Sequence, residues 1–187
     1  MKMNFFGHIL MAAVLVAGAG LAQAADKPNA PVAGSSAAIA KQVRHDILTY
    51  PHYTLWDDIG YRIDNGQVVL SGAVTQPYKK SDIERMVKGI PGVTSIENDI
   101  KVLPLSPMDN QLRQQVARAI FSEPSLSRYS MGAIPSIHII VDNGHVTLKG
   151  VVMNQMDKQL AGIRANSTLS FGVQNDLQVE NPSGHKS

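Results

Sequence analysis

Apolar positions follow two periods along the chain, and the two periods predict an order of helices and strands. Residues 39–47 place an apolar side chain at every fourth position, which is the spacing of one face of a helix. Residues 59–63 and 68–74 alternate instead, as half-buried strands do. Between them Asn65-Gly66 indicates a tight turn, because both positions of a type I′ turn need a positive φ angle. The segment therefore predicts a helix followed by a β-hairpin.

A second helix and a third strand complete this unit. Pro77 suits the first position of a helix, and the apolar stripe that follows ends at Ile90 before a Pro-Gly pair. Residues 96–102 alternate as a third strand, with Asn98 and Val102 on its inward face. The order is αββαβ. Because the second helix must carry the chain back across the sheet, the second and third strands are expected to run parallel.

The same order occurs twice, which indicates a duplication. Residues 64–74 match residues 142–152 at seven of eleven positions, 78 positions further on. Residues 96–102 match residues 173–179 at an offset of 77. Both matches keep their order and nearly the same offset, so the chain contains two copies of one module.

The second copy predicts its own helices. Ser106 and Asn154 each stand where a helix N-cap is expected. The apolar stripe of the first helix comprises Leu112, Val116 and Ile120. The apolar stripe of the second helix comprises Met156, Leu160 and Ile163.

These elements predict an α+β fold of two αββαβ modules, each a three-stranded mixed sheet covered by two helices. The first module is expected at residues 35–103 and the second at residues 104–181. The linker at 103–107 is short and contains two prolines, so the two modules are expected to touch.

The two ends of the chain predict segments outside the modules. Lys2 precedes a long uncharged apolar stretch, and the Ala-Gln-Ala sequence after it fits the pattern that signal peptidase recognises. Residues 1–24 are therefore expected to be a signal peptide that is cleaved after Ala24, with an uncleaved anchor as the alternative. Residues 25–34 are expected to form a flexible leader, and residues 182–187 a disordered tail.

Composition excludes several classes of function. The chain has 17 Lys and Arg against 15 Asp and Glu, a net charge of +2 that is too small for a nucleic-acid-binding protein. The absence of cysteine excludes disulfides, thiolate metal sites and a Cys nucleophile. The six histidines show no recurrent ligand spacing, and no G-x-S-x-G motif is present. We therefore expect no catalytic residue, no metal site and no cofactor.

The hairpin pattern G-x-V-x-L-x-G-x-V at residues 66–74 and 144–152 resembles that of BON domains. The third-strand pattern V-x-N-x-L-x-V is met at residues 96–102 and 173–179, whereas residues 169–171 (Leu-Ser-Phe) depart from the family's usual Gly-Val. The resemblance is to tandem, osmotically inducible BON proteins. It implies a periplasmic envelope protein without catalytic activity, which binds phospholipid surfaces or other proteins and is associated with osmotic and envelope stress.

Several polar and glycine positions are expected to be structural. Their spacing does not fit a phosphate-binding loop, so the hairpin glycines are expected to serve turn geometry and close approach of helix to sheet. These glycines are Gly66, Gly72, Gly144 and Gly150. Asn98 and Asn175 interrupt the inward face of the third strands and are expected to bond the backbone of a neighbouring loop. The Asp57-Asp58 pair is expected to be solvated or to cap a helix.

The candidate binding surface is aromatic and follows the first helix of each module. Trp and Tyr favour the lipid headgroup region, and nearby arginines suit anionic phosphates. The candidate residues are Arg44, Tyr50, Tyr53, Trp56, Arg118, Phe121, Arg128 and Tyr129. The alternative is that the aromatic side chains cap the ends of two small cores.

Two functions from different classes remain open at this point. The first is a non-catalytic module that docks peripherally on anionic phospholipid at the periplasmic face of a membrane. The second is a soluble protein-interaction or holdase-like stress factor, whose sheet edges and apolar loops receive extended client chains. The small net charge argues against strong electrostatic attraction to a membrane and keeps the second hypothesis in view.

Overall fold

The computed structural model describes residues 34–180. The predicted signal peptide, the tail and all of the predicted leader except Gly34 lie outside the described residues. The helices are α1 Ser36–Thr49, α2 Pro77–Lys88, α3 Pro107–Phe121 and α4 Gln155–Asn166, and a short 3-10 helix covers Ser127–Ser130. The strands are β1 Asp58–Asp64, β2 Gln67–Val74, β3 Ser95–Asn98, β4 Lys101–Val102, β5 Ile137–Asp142, β6 His145–Val152, β7 Gly172–Asn175 and β8 Gln178–Val179.

The two modules have the same sheet topology, which confirms the predicted α+β fold. In the first module β1 pairs antiparallel with β2, and β2 pairs parallel with β3 and β4. In the second module β5, β6, β7 and β8 repeat this arrangement. Asn65 and Asn143 have φ angles of 47° and 51° at the two hairpin turns. The Asn-Gly prediction is confirmed, since few residues other than Asn and Gly tolerate this region of backbone space.

Helix capping also follows the sequence. The side chains of Ser35, Ser106 and Asn154 accept hydrogen bonds from the backbone N–H three residues further on. Each cap satisfies one of the amides that a helix leaves without an intrahelical partner. Pro77 occupies the first turn of α2, where its missing N–H costs nothing.

The third strand of each module is broken, which the sequence did not predict. The side-chain oxygen of Asn98 accepts a hydrogen bond from the N–H of Ile100 at 3.3 Å, and Asn175 does the same for Leu177. This local bond takes two residues out of the regular ladder and separates β3 from β4. The prediction that Val102 faces inward is wrong: it is exposed because β4 lies at the edge of its sheet.

Each module has a separate hydrophobic core between its helices and its sheet. In the first module the largest fully buried side chains are Ile39, Leu70, Ile83 and Ile100. In the second module they include Ile120, Leu126, Ile137, Ile139, Leu148 and Leu177. The equivalent strands β2 and β6 each run through the centre of one core.

The apolar stripe predicted for α4 is largely wrong. Met156 and Ile163 are exposed, and Leu160 packs only partly against the core. The residues that α4 buries are Asp157, Ala161, Gly162 and Ala165. The helix lies so close to β7 that a Cβ on Gly162 would approach Nδ2 of Asn175 to 2.7 Å. Small residues are therefore required on this face, and the larger side chains point outward.

The strand glycines lie against the backbone at the start of the first strand of their module, not against a helix as expected. Gly72 has a φ of 110°, and a Cβ there would lie 2.1 Å from the carbonyl oxygen of Asp58. Gly150 has a φ of 107°, and a Cβ there would lie 2.0 Å from the carbonyl oxygen of Ser136. Both positions therefore combine a positive φ with close backbone contact.

We predict that Gly150→Ala destabilises the protein much more than Gly132→Ala. Gly132 has a similar φ of 103°, but a Cβ there would have its nearest neighbour at 3.8 Å, so it serves as a control for backbone strain alone. The strain at each site costs about 1–3 kcal/mol, and only Gly150→Ala adds a clash. Urea unfolding of both variants measures the difference. Equal losses would contradict the close contact at Gly150.

Candidate functional site

The aromatic segment after α1, residues 50–56, is anchored at its start by Tyr50. This side chain is buried, and its hydroxyl donates a hydrogen bond to Oδ2 of Asp82 at 2.8 Å. Burial raises the pKa of Tyr50 above its usual value, and the bond to Asp82 raises it further. Tyr50 therefore ties the end of α1 to α2 within the first module.

The rest of this segment contacts the second module. The carbonyl oxygen of Leu55 accepts a hydrogen bond from the N–H of Ile139 in β5 at 2.8 Å. The side chains of Leu55 and Trp56 pack against the core of the second module. We call this region, residues 53–56 against β5, the module contact. It covers part of the β5 edge, which would otherwise present unpaired backbone groups.

Tyr53 and His138 face each other in the module contact, with ring centroids 5.4 Å apart. His138 is 8% exposed, and within residues 34–180 its Nδ1 has no hydrogen-bond partner. Burial lowers the pKa of His138 below its usual value, although Asp58 and backbone hydrogen bonds to Asp57 and Thr54 act in the opposite direction. Burial also raises the pKa of Tyr53, and the Asp58 carboxylate raises it further.

Asp57 is fully buried beside the module contact, so the expectation that it is solvated or caps a helix is wrong. Its Oδ2 accepts bonds from Nζ of Lys79 at 2.6 Å and from the N–H and hydroxyl of Thr54. Its Oδ1 accepts a bond from the N–H of Thr75 at 2.8 Å. Burial by itself would raise the pKa of Asp57, but Lys79 and these hydrogen bonds outweigh it and hold the pKa below its usual value.

The second module repeats this buried polar contact with the charges exchanged. Asp157 takes the position of Lys79, and the hydroxyl of Tyr129 donates to it at 2.5 Å. Arg128 also binds Asp157, with Nη2 2.9 Å from Oδ2. The N–H of Met153 donates to the Tyr129 hydroxyl at 2.9 Å, as that of Thr75 does to Asp57. In both modules a side chain from the loop before the hairpin satisfies the backbone amide that precedes the second helix.

Two charged residues of α3 hold the hairpin of the second module. Arg113 is buried, and its Nη2 donates to the carbonyl oxygen of Val141 at 2.8 Å, which covers a second part of the β5 edge. Burial lowers the pKa of Arg113 below its usual value. Asp109 accepts bonds from the N–H groups of Asn143 and Gly144 at 3.0 and 2.8 Å. Sequence reasoning missed both contacts with the hairpin, because a charged side chain early in a helix usually faces solvent.

The predicted binding residues therefore lie in different environments. Tyr53 and Trp56 lie in the module contact, and Tyr50 and Tyr129 are buried with their hydroxyls bonded inside their own modules. Arg128 is ion-paired with Asp157. These placements do not offer the aromatic segments as one free surface.

Three of the predicted residues lie at or near the surface of the first helices. Arg44 is exposed on α1. Arg118 is exposed on α3, and the half-buried Phe121 lies beside it along a shallow apolar groove of about 680 Å³. The turn glycines Gly66 and Gly144 lie at the hairpin tips with φ angles of 85° and 80°.

Sequence reasoning missed an exposed apolar cluster in the second module. Met108, Leu169 and Phe171 are 76%, 92% and 82% exposed, and they line one open groove of about 410 Å³ beside the Asn143-Gly144 turn. We call these three residues the apolar rim. One feature of the sequence could have revealed this cluster: residues 169–171 are Leu-Ser-Phe, where the family usually has Gly-Val.

The described residues carry neither a metal centre nor a membrane-crossing helix. No group of three or more His, Asp or Glu side chains within residues 34–180 is arranged to hold a metal ion. None of the helices in this part of the chain is long and apolar enough to cross a bilayer.

We predict that Lys79→Met destabilises the protein by about 3 kcal/mol at neutral pH, because it leaves the buried Asp57 carboxylate without its cation. The low pKa of Asp57 contributes stability that is present above the unfolded value of 3.8 and is lost as the pH falls through the folded value. The difference between wild type and variant should therefore shrink in acid. Urea unfolding at neutral and acidic pH measures it.

The control for this variant is Arg85→Met. Arg85 forms an exposed ion pair with Asp82 on the same helix, which contributes at most about 1 kcal/mol. A loss as large as that of Lys79→Met would show that any charge removed from α2 has the same effect, and would contradict the special role of the buried pair.

Comparisons with known proteins identify the modules. The family model described as BON domain matches twice, at residues 35–104 and 108–181. No curated protein matches the chain. A solved structure of the C-terminal domain of CdsD, a structural protein of the type III secretion system of Chlamydia trachomatis, is 14% identical with a TM-score of 0.27, covering 75% of this chain and 96% of that one. A second CdsD structure is 13% identical with a TM-score of 0.27, covering 78% and 94%.

Proposed function

The chain belongs to the BON-domain family, and on this basis we propose that it is a non-catalytic, exported protein of the bacterial cell envelope that docks on anionic phospholipid surfaces. The proposed location is the periplasm, and the proposed association is peripheral. BON domains suggest interactions with membranes or envelope proteins, and the family is generally non-catalytic. A role in osmotic or envelope stress belongs to the same proposal.

The apolar rim is the observation that carries the lipid proposal. Large apolar side chains that are more than three-quarters exposed gain free energy when they leave water, about 1.5–3 kcal/mol for each one that is fully buried. The rim lies beside the N-terminal end of α3, whose exposed side also carries Arg118 near its other end. The exposed apolar side chains suit the acyl-chain side of the membrane interface, and the exposed cation on the same helix suits the anionic phosphates.

The free energies favour insertion of the apolar rim over electrostatic attraction as the main source of affinity. Each Arg or Lys near an anionic surface contributes about 1 kcal/mol, and the chain as a whole has a net charge of only +2. Three rim side chains can contribute several kcal/mol even if their burial is partial. We therefore propose that the rim supplies most of the affinity and that Arg118 and Arg44 add a smaller, salt-sensitive part.

We predict that the chain sediments with vesicles of phosphatidylglycerol and phosphatidylcholine, and that Leu169→Ser with Phe171→Ser lowers the binding constant at least about tenfold. The control is Met156→Ser, because Met156 is exposed to the same degree as Met108 but lies on α4. Arg118→Ala should lower binding less and should reduce its salt dependence. Absent binding at low salt, or equal binding by the double variant and wild type, would contradict the proposal.

The second candidate function is a soluble protein-interaction or holdase-like module. The same groove beside the rim supports it, since about 410 Å³ accommodates an apolar side chain of a client. Strand addition has less support at β5, where Leu55 and Arg113 already bond the edge. The edge strands β3 and β7 have only four residues each.

We predict that, if this second function holds, the chain suppresses aggregation of an unfolded client without lipid and that Phe171→Ser weakens the suppression. Light scattering of a heat-denatured client measures the effect, with Met156→Ser as the control. Vesicle binding without suppression would support the first function over the second, and suppression without vesicle binding would support the reverse.

A further inference from the structure

His138 occupies an unusual position for an ionisable side chain. Ile137 and Ile139 point into the core of the second module, so His138 points to the opposite face of the sheet. That face would be open to solvent in an isolated module, yet His138 is 8% exposed. The segment from the first module covers it, with Tyr53 against the ring and Leu55 bonded to the next residue of β5.

The surroundings of His138 favour the neutral ring. Tyr53 faces it from the aromatic segment, Asp57 and Asp58 act on it from the end of that segment and from β1, and Lys149 is its cross-strand partner on β6. Lys149 is paired with Asp176, which compensates its charge. Loss of solvation lowers the pKa of His138. The Asp58 carboxylate and the backbone hydrogen bonds to Asp57 and Thr54 act in the opposite direction, but the pKa stays below its usual value.

We propose that the module contact is an acid-sensitive latch, in which protonation of His138 releases residues 53–56 from β5. A second proton on the ring would place a charge where only 8% of the side chain reaches water, which costs free energy. Release gives the imidazolium access to water and removes this cost. The latch does not depend on lipid binding.

The direction of the pH effect follows from linkage. Burial lowers the pKa of His138 in the closed contact, whereas in the released state it returns toward 6.5. The closed contact therefore has its full stability above pH 6.5 and loses stability as the pH falls below that value. A periplasmic protein would meet such a change when the external medium becomes acidic.

Trp56 is the only tryptophan of the chain and lies in the module contact, so it reports release directly. We predict that its fluorescence maximum moves to longer wavelength and that quenching by acrylamide increases as the pH falls below 6.5. Far-UV circular dichroism should stay unchanged over this range, because both modules remain folded. The lower pKa of Asp57 places its own protonation at more acidic pH, outside this range.

Two variants isolate His138. His138→Phe and His138→Gln cannot take up a proton, and either one that folds should keep the Trp56 emission independent of pH between about 7 and 5. His145→Gln is the matched control, because His145 is exposed beside the hairpin turn and should leave the transition intact. A wild-type emission that does not change, or a change that persists in both His138 variants, would overturn the proposal. A simultaneous loss of circular dichroism in wild type would overturn it as well, since it would indicate unfolding in place of release.

Discussion

The carboxylate of Asp57 has no access to solvent, so protein groups must compensate its charge. Lys79, Thr54 and Thr75 do so, and together they hold the residues just before Asp57 in one position. Leu55 and Trp56 consequently project from the first module and reach the second. A single buried carboxylate thus links the first module's helix–hairpin junction to the contact between the modules. Removing its cation would leave an uncompensated charge beside that contact.

The second module satisfies the equivalent backbone amide with different side chains. The amide before the second helix needs an acceptor in both modules, and Asp57 supplies it in one and the Tyr129 hydroxyl in the other. Asp157 in place of Lys79 reverses the charge on the helix, and Arg128 with Tyr129 on the loop compensates the reversal. Both copies keep the hydrogen bond from the amide before the second helix, but different residues accept it.

The aromatic side chains of the predicted surface are mostly buried in packing contacts, whereas the apolar rim stays exposed and is the proposed binding surface. Trp56 packs against the core of the second module, and Tyr53 lies between the first module's core and His138. Tyr50 and Tyr129 are buried in the cores of their own modules. The apolar rim remains exposed at the hairpin end of the second module. The proposed membrane surface therefore lies on parts of the chain that the sequence motif does not share between the copies, so the proposal assigns different roles to two modules of common fold.

Local signals in the sequence were sufficient for the order of elements. The Asn-Gly turns, the caps Ser106 and Asn154 and the period of the apolar residues act within a few positions, so each could be read without knowledge of the partner. The repeat then indicated two modules of one fold. Sequence alone also singled out the aromatic segment, but it left open whether that segment binds a lipid surface or caps a small core.

Tertiary structure decided which of these side chains are covered. Asp57 and Lys79 are 22 positions apart, Tyr129 and Asp157 are 28 apart, and Leu55 and Ile139 belong to different modules. Ile163 points outward because α4 approaches the sheet too closely for a large side chain, a distance that no periodic pattern records. Whether a side chain is buried depends on the residues that pack against it. For these side chains the packing partners come from a distant part of the chain.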